Sequence, residues 1–232
     1  MQSSALTEPE NDIRAQRRLQ AFLNKYSSAI CVVLDFDECV IERHISSELT
    51  RRYQYRIPSR PPNFGDCGFS GIANILDCYI GLRKDELYDT CRELALTTKW
   101  RPHALEMLQR MASSENHLPV FMSSGLDLAI DAMLQRVNLP LKYFACEMEY
   151  DDARTCICPA FIVTARLKGS LTLDLVQSGQ FGRIYSVGHS YGDIPMLQAA
   201  EGITLRGIPG VEREAKYVID GFDEVLELLG LA

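Results

Sequence analysis

Long apolar runs are missing from this 232-residue chain. None reaches the roughly 20 residues that a membrane-spanning helix needs, and the polar N-terminus does not read as a signal sequence. A soluble, cytoplasmic protein with no membrane partner is therefore expected. An excess of basic residues is missing as well. The 24 Lys and Arg against 31 Asp and Glu leave a formal charge of −7, which argues against the sequence-independent nucleic-acid binding that depends on cationic surface. Cysteine is plentiful, but a cysteine framework is absent. The eight residues stand at 31, 39, 67, 78, 91, 146, 156 and 158. Cys156-x-Cys158 is not Cys-x-x-Cys, and no second pair or histidine lies at zinc-finger spacing. Several sit inside apolar runs, where a free cysteine behaves as a small hydrophobe, so reduced thiols are expected. No internal repeat is present.

What is there is an ordinary globular composition, 47% hydrophobic and 24% charged, in a chain long enough to bury one core and carry a smaller insertion. Residues 1–8 show no pattern and are expected to be disordered. Residues 11–26 are polar and helix-compatible, with Ile13, Leu19, Phe22 and Leu23 as a weak stripe suited to packing on the main domain or to a homodimer contact. Residues 29–34 form an unbroken apolar strand of the kind covered on both faces. Helical patterns follow at 46–55, 71–80 and 84–96, separated by a Pro- and Gly-rich loop from Arg56 to Gly71. That is too much chain for a simple crossover, so residues 41–100 read as a helical insertion. Pro102 suits the first turn of a helix whose apolar face is Ala104, Leu105, Leu108, Met111 and Ala112.

Strands are expected at 118–122, 141–145, 183–187, 203–205 and 217–219, with helices at 126–137, after Leu167, and over Phe222–Leu229. Residues 147–164 suit a hairpin turning at Asp151-Asp152. Strands and helices alternate, so the class is α/β: a Rossmann-like, mostly parallel sheet with helices on both faces. The division is an N-terminal extension at 1–28, a core at 29–40 and 101–232, and the helical insertion at 41–100.

Four stations fall where such a sheet exposes its carboxyl edge, the place where open α/β sheets put their chemistry. Leu34-Asp35-Phe36-Asp37 ends the first strand in two carboxylates; taken alone, this is either a polar turn or an acid pair awaiting a cation or donors. Ser123-Ser124-Gly125 ends the second, and its serine is either a helix N-cap or part of an anion site. Lys168 begins a helix. Asp193 follows a fourth strand within Gly188-His189-Ser190-Tyr191-Gly192-Asp193. Two acids, a hydroxyl, an ammonium and a third acid suit phosphoryl transfer: a carboxylate attacks phosphorus, another moves protons, and the remaining groups hold phosphoryl oxygens.

With these four motifs in order, the chain from Ala29 onward resembles the haloacid dehalogenase superfamily, and within it the phosphoserine phosphatase branch, whose helical cap lies between the first two motifs. The resemblance implies a phosphatase acting on a small phosphorylated metabolite. Asp35 would be the nucleophile that forms an aspartyl-phosphate, and Asp37 the general acid and base. Ser123, Ser124 and Lys168 would bind phosphate. A divalent metal, Mg²⁺, would be held by Asp35, Asp37 through its carbonyl, and Asp193. A phosphotransferase using the same intermediate and a catalytically weakened binding or regulatory protein are the alternatives.

The chain departs from the family pattern in four places. His189 stands where the fourth motif normally has an acid, so His189 could ligate metal and favour a transition ion such as Mn²⁺. Cys39 replaces Thr or Ser, His44 stands where a substrate-binding Glu is usual, and Gly192 stands for Asn. Phosphoserine is therefore not carried over as the substrate. Glu42, Arg43, His44, Arg51, Arg52, Arg56 and Arg60 cluster in the insertion. They form either a solvated face or a recognition site in which His44, Arg52 and Arg56 read an anionic leaving group.

Overall fold

The computed structural model describes residues 6–56 and 66–232. Residues 1–5, within the stretch expected to be disordered, and Arg60, with most of the Pro- and Gly-rich loop, lie outside the described residues.

Helix α1 (Glu8–Leu23) begins three residues earlier than its apolar stripe suggests. Thr7 and Glu10 form a reciprocal capping box, and Pro9 sits in the first turn. Its partner is the body of its own chain. The buried Asn11 side chain donates to the Ile162 carbonyl and accepts from the Ile162 N–H, both at 2.8 Å, while Arg166 reaches Asp12 and Glu8.

Strand β1 (Ser28–Leu34) is followed by the insertion helices α2 (Ile45–Tyr53), α3 (Phe69–Leu76) and α4 (Lys84–Thr97). Next come α5 (Ala104–Ser113), β2 (His117–Leu126), α6 (Asp127–Arg136), β3 (Lys142–Tyr150) and β4 (Cys156–Phe161). The chain ends with α7 (Ala165–Gln177), β5 (Phe181–Gly188), α8 (Ile194–Ala199), β6 (Glu201–Leu205), α9 (Pro209–Glu212), β7 (Tyr217–Ile219) and α10 (Phe222–Leu228). The seven strands run in the order β4-β3-β2-β1-β5-β6-β7. All neighbours are parallel except β3 and β4, which form the expected hairpin. The chain builds outward from β1 in one direction through β2 and in the other through β5, so the sheet's switch point falls at β1.

Cys31, Val32, Val33 and Leu34 are all fully buried, as a strand covered on both faces requires. Beyond the strand, Phe36 packs edge-on against Phe121 and Trp100. Two local expectations fail. Pro102 lies outside α5: the chain turns through His103 in the left-handed region, φ 61°, and the helix starts only at Ala104. Strand β3 runs five residues past its expected end because it continues into the first arm of the hairpin with β4, where two separate elements were expected.

The insertion leaves and returns side by side. Glu42 N–H donates to the Lys99 carbonyl and Arg101 N–H to the Val40 carbonyl, both at 2.9 Å. A second attachment joins residues 82–84 to the start of β4: Cys156 N–H donates to Leu82 and Lys84 N–H to Arg154, both at 2.8 Å. Helix α4 packs against α6.

Candidate active site

The parallel register aligns the strand ends. Leu34 pairs with Phe121 on one side and Val187 on the other, so Asp35, Ser123 and His189 lie within two residues of a common level. Asp35 N–H still donates to the Val187 carbonyl at 2.9 Å, which holds the acid at the tip of β1. After Asp37 the chain turns sharply through Glu38, a non-glycine residue at φ 55°, and Arg101 donates twice to the Glu38 carbonyl. A conformation this unusual persists only where neighbouring groups hold it.

Lys168 rises from the first turn of α7, which Thr164 caps by accepting from Leu167 N–H at 3.0 Å. Its ammonium donates to Asp35 Oδ1 at 2.6 Å and to Asp193 Oδ1 at 2.7 Å, with all three residues buried. Burial opposes the charge on Lys168, but the Asp193 and Asp35 carboxylates outweigh it and raise its pKa above the ordinary lysine value. Burial likewise disfavours ionised Asp35, yet Lys168 and then His189 hold its carboxyl below the usual range. Asp35 is therefore a carboxylate at neutral pH, with Oδ1 engaged and Oδ2 making no hydrogen bond.

Asp37 has opposite surroundings. Burial is the largest influence and raises its pKa; His44 and the Ser46 hydroxyl oppose that rise, and Asp35 adds to it. Its oxygens accept from Ile45 N–H at 2.9 Å, from Ser46 N–H at 3.3 Å and from the Ser46 hydroxyl in a short contact. The carboxylate thus sits at the N-terminus of α2, where free N–H groups and the helix dipole favour an anion. His44 Nδ1 lies 3.4 Å from Asp37 Oδ2 and accepts from Ser47 N–H. Gly125 makes this arrangement possible: a Cβ there would stand 2.2 Å from Ser46 Oγ and 3.1 Å from Asp37 Oδ2.

Ser123 is not a helix cap. The strand continues to Leu126, Leu126 is the N-cap of α6, and the Ser123 hydroxyl accepts from Gly125 N–H at 3.0 Å.

Asp193 differs most from its expected role as a metal ligand. Oδ1 accepts from Lys168, while Oδ2 accepts from His189 N–H at 3.1 Å, Ser190 N–H at 3.0 Å and the Ser190 hydroxyl at 2.8 Å. With four donors and no exposure, its lone pairs are committed. Asp193 therefore positions Lys168 and the β5–α8 turn. Gly188 permits the close approach, since a Cβ there would stand 2.5 Å from Asp193 Cβ. His189 places Nδ1 3.4 Å from Asp35 Oδ2 and 3.7 Å from Asp193 Oδ2. The nitrogen is buried and makes no hydrogen bond. Burial works against protonation of this ring, but Asp35 and Asp193 raise its pKa above the ordinary histidine value. Besides the Asp37 carbonyl expected above, the side-chain donors left for a metal are one Asp35 oxygen, the His189 nitrogen and the Cys39 sulfur. Mg²⁺ prefers hard oxygen ligands, and only one of these three side-chain donors is an oxygen.

Asp35, Asp37, His44, Ser123, Ser124, Lys168 and His189 line one cavity of about 350 Å³. Its opposite wall is formed by Thr50, Asp66, Cys67, Ile72 and Ile75, with Tyr191 and Gly192 at one side. Sequence reasoning missed this wall and also missed Ser46, because nothing in their spacing separates them from ordinary helix residues. The two proposed specificity arginines do not line the cavity. Arg52 makes a paired contact with Glu93 at 2.9 and 3.1 Å, and Arg56 donates to the Ile80 carbonyl at 3.1 Å. A depression of about 450 Å³ beside α6 and β3 has only Asp131 and Lys142 as charged lining groups and no comparable cluster.

No protein-family model matches the chain, and no curated protein matches it by sequence. Solved structures do match its fold. A haloacid dehalogenase family hydrolase from Salmonella enterica serovar Typhi superposes with a TM-score of 0.66 at 19% identity, over 95% of this chain and 80% of that one. A phosphoserine phosphatase, solved as an analogue of its phospho-aspartyl intermediate, gives 0.65 at 15% identity, over 88% and 99%. A probable phosphoserine phosphatase from Vibrio cholerae gives 0.63 at 18% identity, over 99% and 74%. The chain thus has the haloacid dehalogenase-like α/β fold. The phosphoserine phosphatases among these structures share that architecture.

Proposed function

We propose that the protein is a phosphatase acting on a small phosphomonoester through a phosphorylated Asp35, with residues 41–100 as a helical cap over the site. The observation that carries this reading is the contrast between two acids at the end of one strand. Asp35 is held ionised with Oδ2 toward the cavity, while Asp37 is shifted toward the protonated form. Environments that push a carboxylate pair apart assign a nucleophile and an acid.

In the first step an Asp35 oxygen attacks phosphorus and the bond to the leaving oxygen breaks. Asp37, protonated, gives its proton to that oxygen. In the second step the Asp37 carboxylate takes a proton from water, the water oxygen attacks phosphorus, and the P–O bond to Asp35 breaks to release phosphate. Ser123, Ser124 and Lys168 hold phosphoryl oxygens, and Lys168 also tempers the charge on Asp35. Asp193 keeps Lys168 in place.

The leaving group meets Thr50, Ile72, Ile75 and Asp66, a wall without an arginine among the described residues. This favours a small neutral or amine-bearing alcohol over an anionic one. The free protein's setting is taken to be the cytoplasm; no helix among the described residues is long and apolar enough to cross a membrane.

A second reading, a binding protein that retained the fold, draws support from His189, which removes an acid from the metal-facing side. Rapid quenching with ³²P-labelled small phosphomonoesters separates the two. Label on Asp35 in wild type, and none together with no turnover in Asp35→Asn, is the expected result. An unlabelled wild type across a metabolite panel, or a fully active Asp35→Asn, overturns the phosphatase reading.

A further inference from the structure

The misfit with Mg²⁺ has a definite chemical character. Lys168 occupies Asp35 Oδ1, and four donors occupy both oxygens of Asp193. Asp35 Oδ2 is the single oxygen left free of hydrogen bonds on this buried carboxylate pair. Two further atoms of different chemistry lie near Asp35. His189 Nδ1 is 3.4 Å away, buried and without a hydrogen bond. Cys39 Sγ is fully buried, and its contact with the Val187 carbonyl is long, 3.8 Å. The ligating atoms of Asp35, Cys39 and His189 all lie within 4.8 Å of one another.

We infer that this site takes a borderline transition ion of the Zn²⁺ or Co²⁺ kind, held by Asp35 Oδ2, His189 Nδ1 and Cys39 Sγ, in place of Mg²⁺. One carboxylate oxygen, one imidazole nitrogen and one sulfur are the donor types that such ions select over Mg²⁺. Three protein ligands leave a fourth position open toward the cavity, as in catalytic sites of these metals. Glu38 lies 3.9 Å from His189 Nε2, on the ring edge away from the donors. A carboxylate there orients a ligating histidine from the outer shell. The inference shares Asp35 with the phosphatase reading but does not depend on turnover.

The test is direct metal binding to the full chain, stripped with chelator and dialysed, using CoCl₂, ZnCl₂ and MgCl₂ as probes. Titration calorimetry should give one Co²⁺ or Zn²⁺ per chain, bound at least about tenfold more tightly than Mg²⁺. The Co²⁺ form should show a near-ultraviolet thiolate-to-cobalt band, which Cys39→Ser removes. His189→Ala should weaken Co²⁺ by about tenfold or more, and His189→Asp should reverse the order in favour of Mg²⁺. Circular dichroism on each variant identifies any that fail to fold, and the wild-type spectrum and ion preference stand without them. No bound ion in wild type, tighter Mg²⁺ than Co²⁺, absence of the thiolate band, or Co²⁺ affinity unchanged in folded His189→Ala would each overturn the assignment. Labelled phosphate on Asp35 is measured separately, so failure of the metal assignment and failure of the phosphatase reading remain distinguishable.

Discussion

The two walls of the cavity are built on different principles. The sheet wall is a closed electrostatic network: Lys168 bridges Asp35 and Asp193, and Asp193 fastens the following turn. Each buried charge there has a counter-charge, which is the condition under which buried ions persist. The insertion wall presents Ile72, Ile75 and Thr50, with Asp66 and His44 at its rim. It meets the sheet wall through a joint at the N-terminus of α2 on Asp37 and at the start of α7, where Ala165 N–H donates to the Cys67 carbonyl at 3.3 Å. Charge on one side is fixed by strand ends, whereas shape on the other is set by helices that the chain attaches at two places. Reactivity and selectivity are therefore separable here. Changes to the sheet wall should destroy both stability and chemistry, and changes to the insertion should alter chemistry only through the joint.

The largest effect is expected for Lys168→Met. Removing the ammonium leaves Asp35 and Asp193 buried and unpaired, so chemical denaturation should show a loss of about 3–5 kcal/mol, and phosphate trapping should vanish. A variant of wild-type stability would break the contrast between the walls. Gly125→Ala attacks the joint. Its Cβ would press on Ser46 and Asp37, and misplacement of a reacting group by about 1 Å can cost on the order of 10² in rate. The kcat for an alkyl phosphate should fall by that order, with a smaller loss for an aryl phosphate whose leaving group needs little protonation.

Asp127→Asn probes a half-buried acid outside the network, at the start of α6. Burial, with Glu147 adding to it, raises Asp127 from 3.8 to about 7, and its Oδ1 has no hydrogen bond. The raised folded value means that wild-type stability is full below about pH 4 and declines as the pH climbs to about 7, where the loss levels off. The asparagine variant should lack that slope and be the more stable by a few kcal/mol, to order of magnitude, at pH 8. Equal pH profiles would show that Asp127 is better solvated than its surroundings imply. The smallest effect belongs to Arg52→Ala. Its exposed pair with Glu93 should contribute about 0–1 kcal/mol, and kcat/KM should not change. A raised KM for the physiological substrate would return this arginine to the recognition site and blur the contrast between the walls.

Much of this was legible along the chain. The unbroken run Cys31–Leu34, the alternation of strands and helices and the four strand-end motifs all come from residue types at short spacing. Such patterns report burial and local conformation directly. Hence the sheet, and the gathering of Asp35, Asp37, Ser123, Lys168 and His189 at one edge, could be read before any coordinates. The arginines could not be placed in this way, because a charged helix face looks the same whether it meets a ligand, a glutamate or water.

Long-range packing settled the rest. Lys168 lies 133 residues from Asp35 in sequence and 2.6 Å from it in space. That Asp193 spends its oxygens on Lys168, Ser190 and a backbone turn, leaving His189 Nδ1 to face Asp35 Oδ2 at 3.4 Å, follows from where α7 and β5 come to rest. So do the seating of α2 on Asp37 and the turning of Arg52 toward Glu93. The residues name the functional groups because periodicity and strand ends are local properties. Which lone pair meets which donor depends on contacts between distant segments, and no spacing along the chain encodes that.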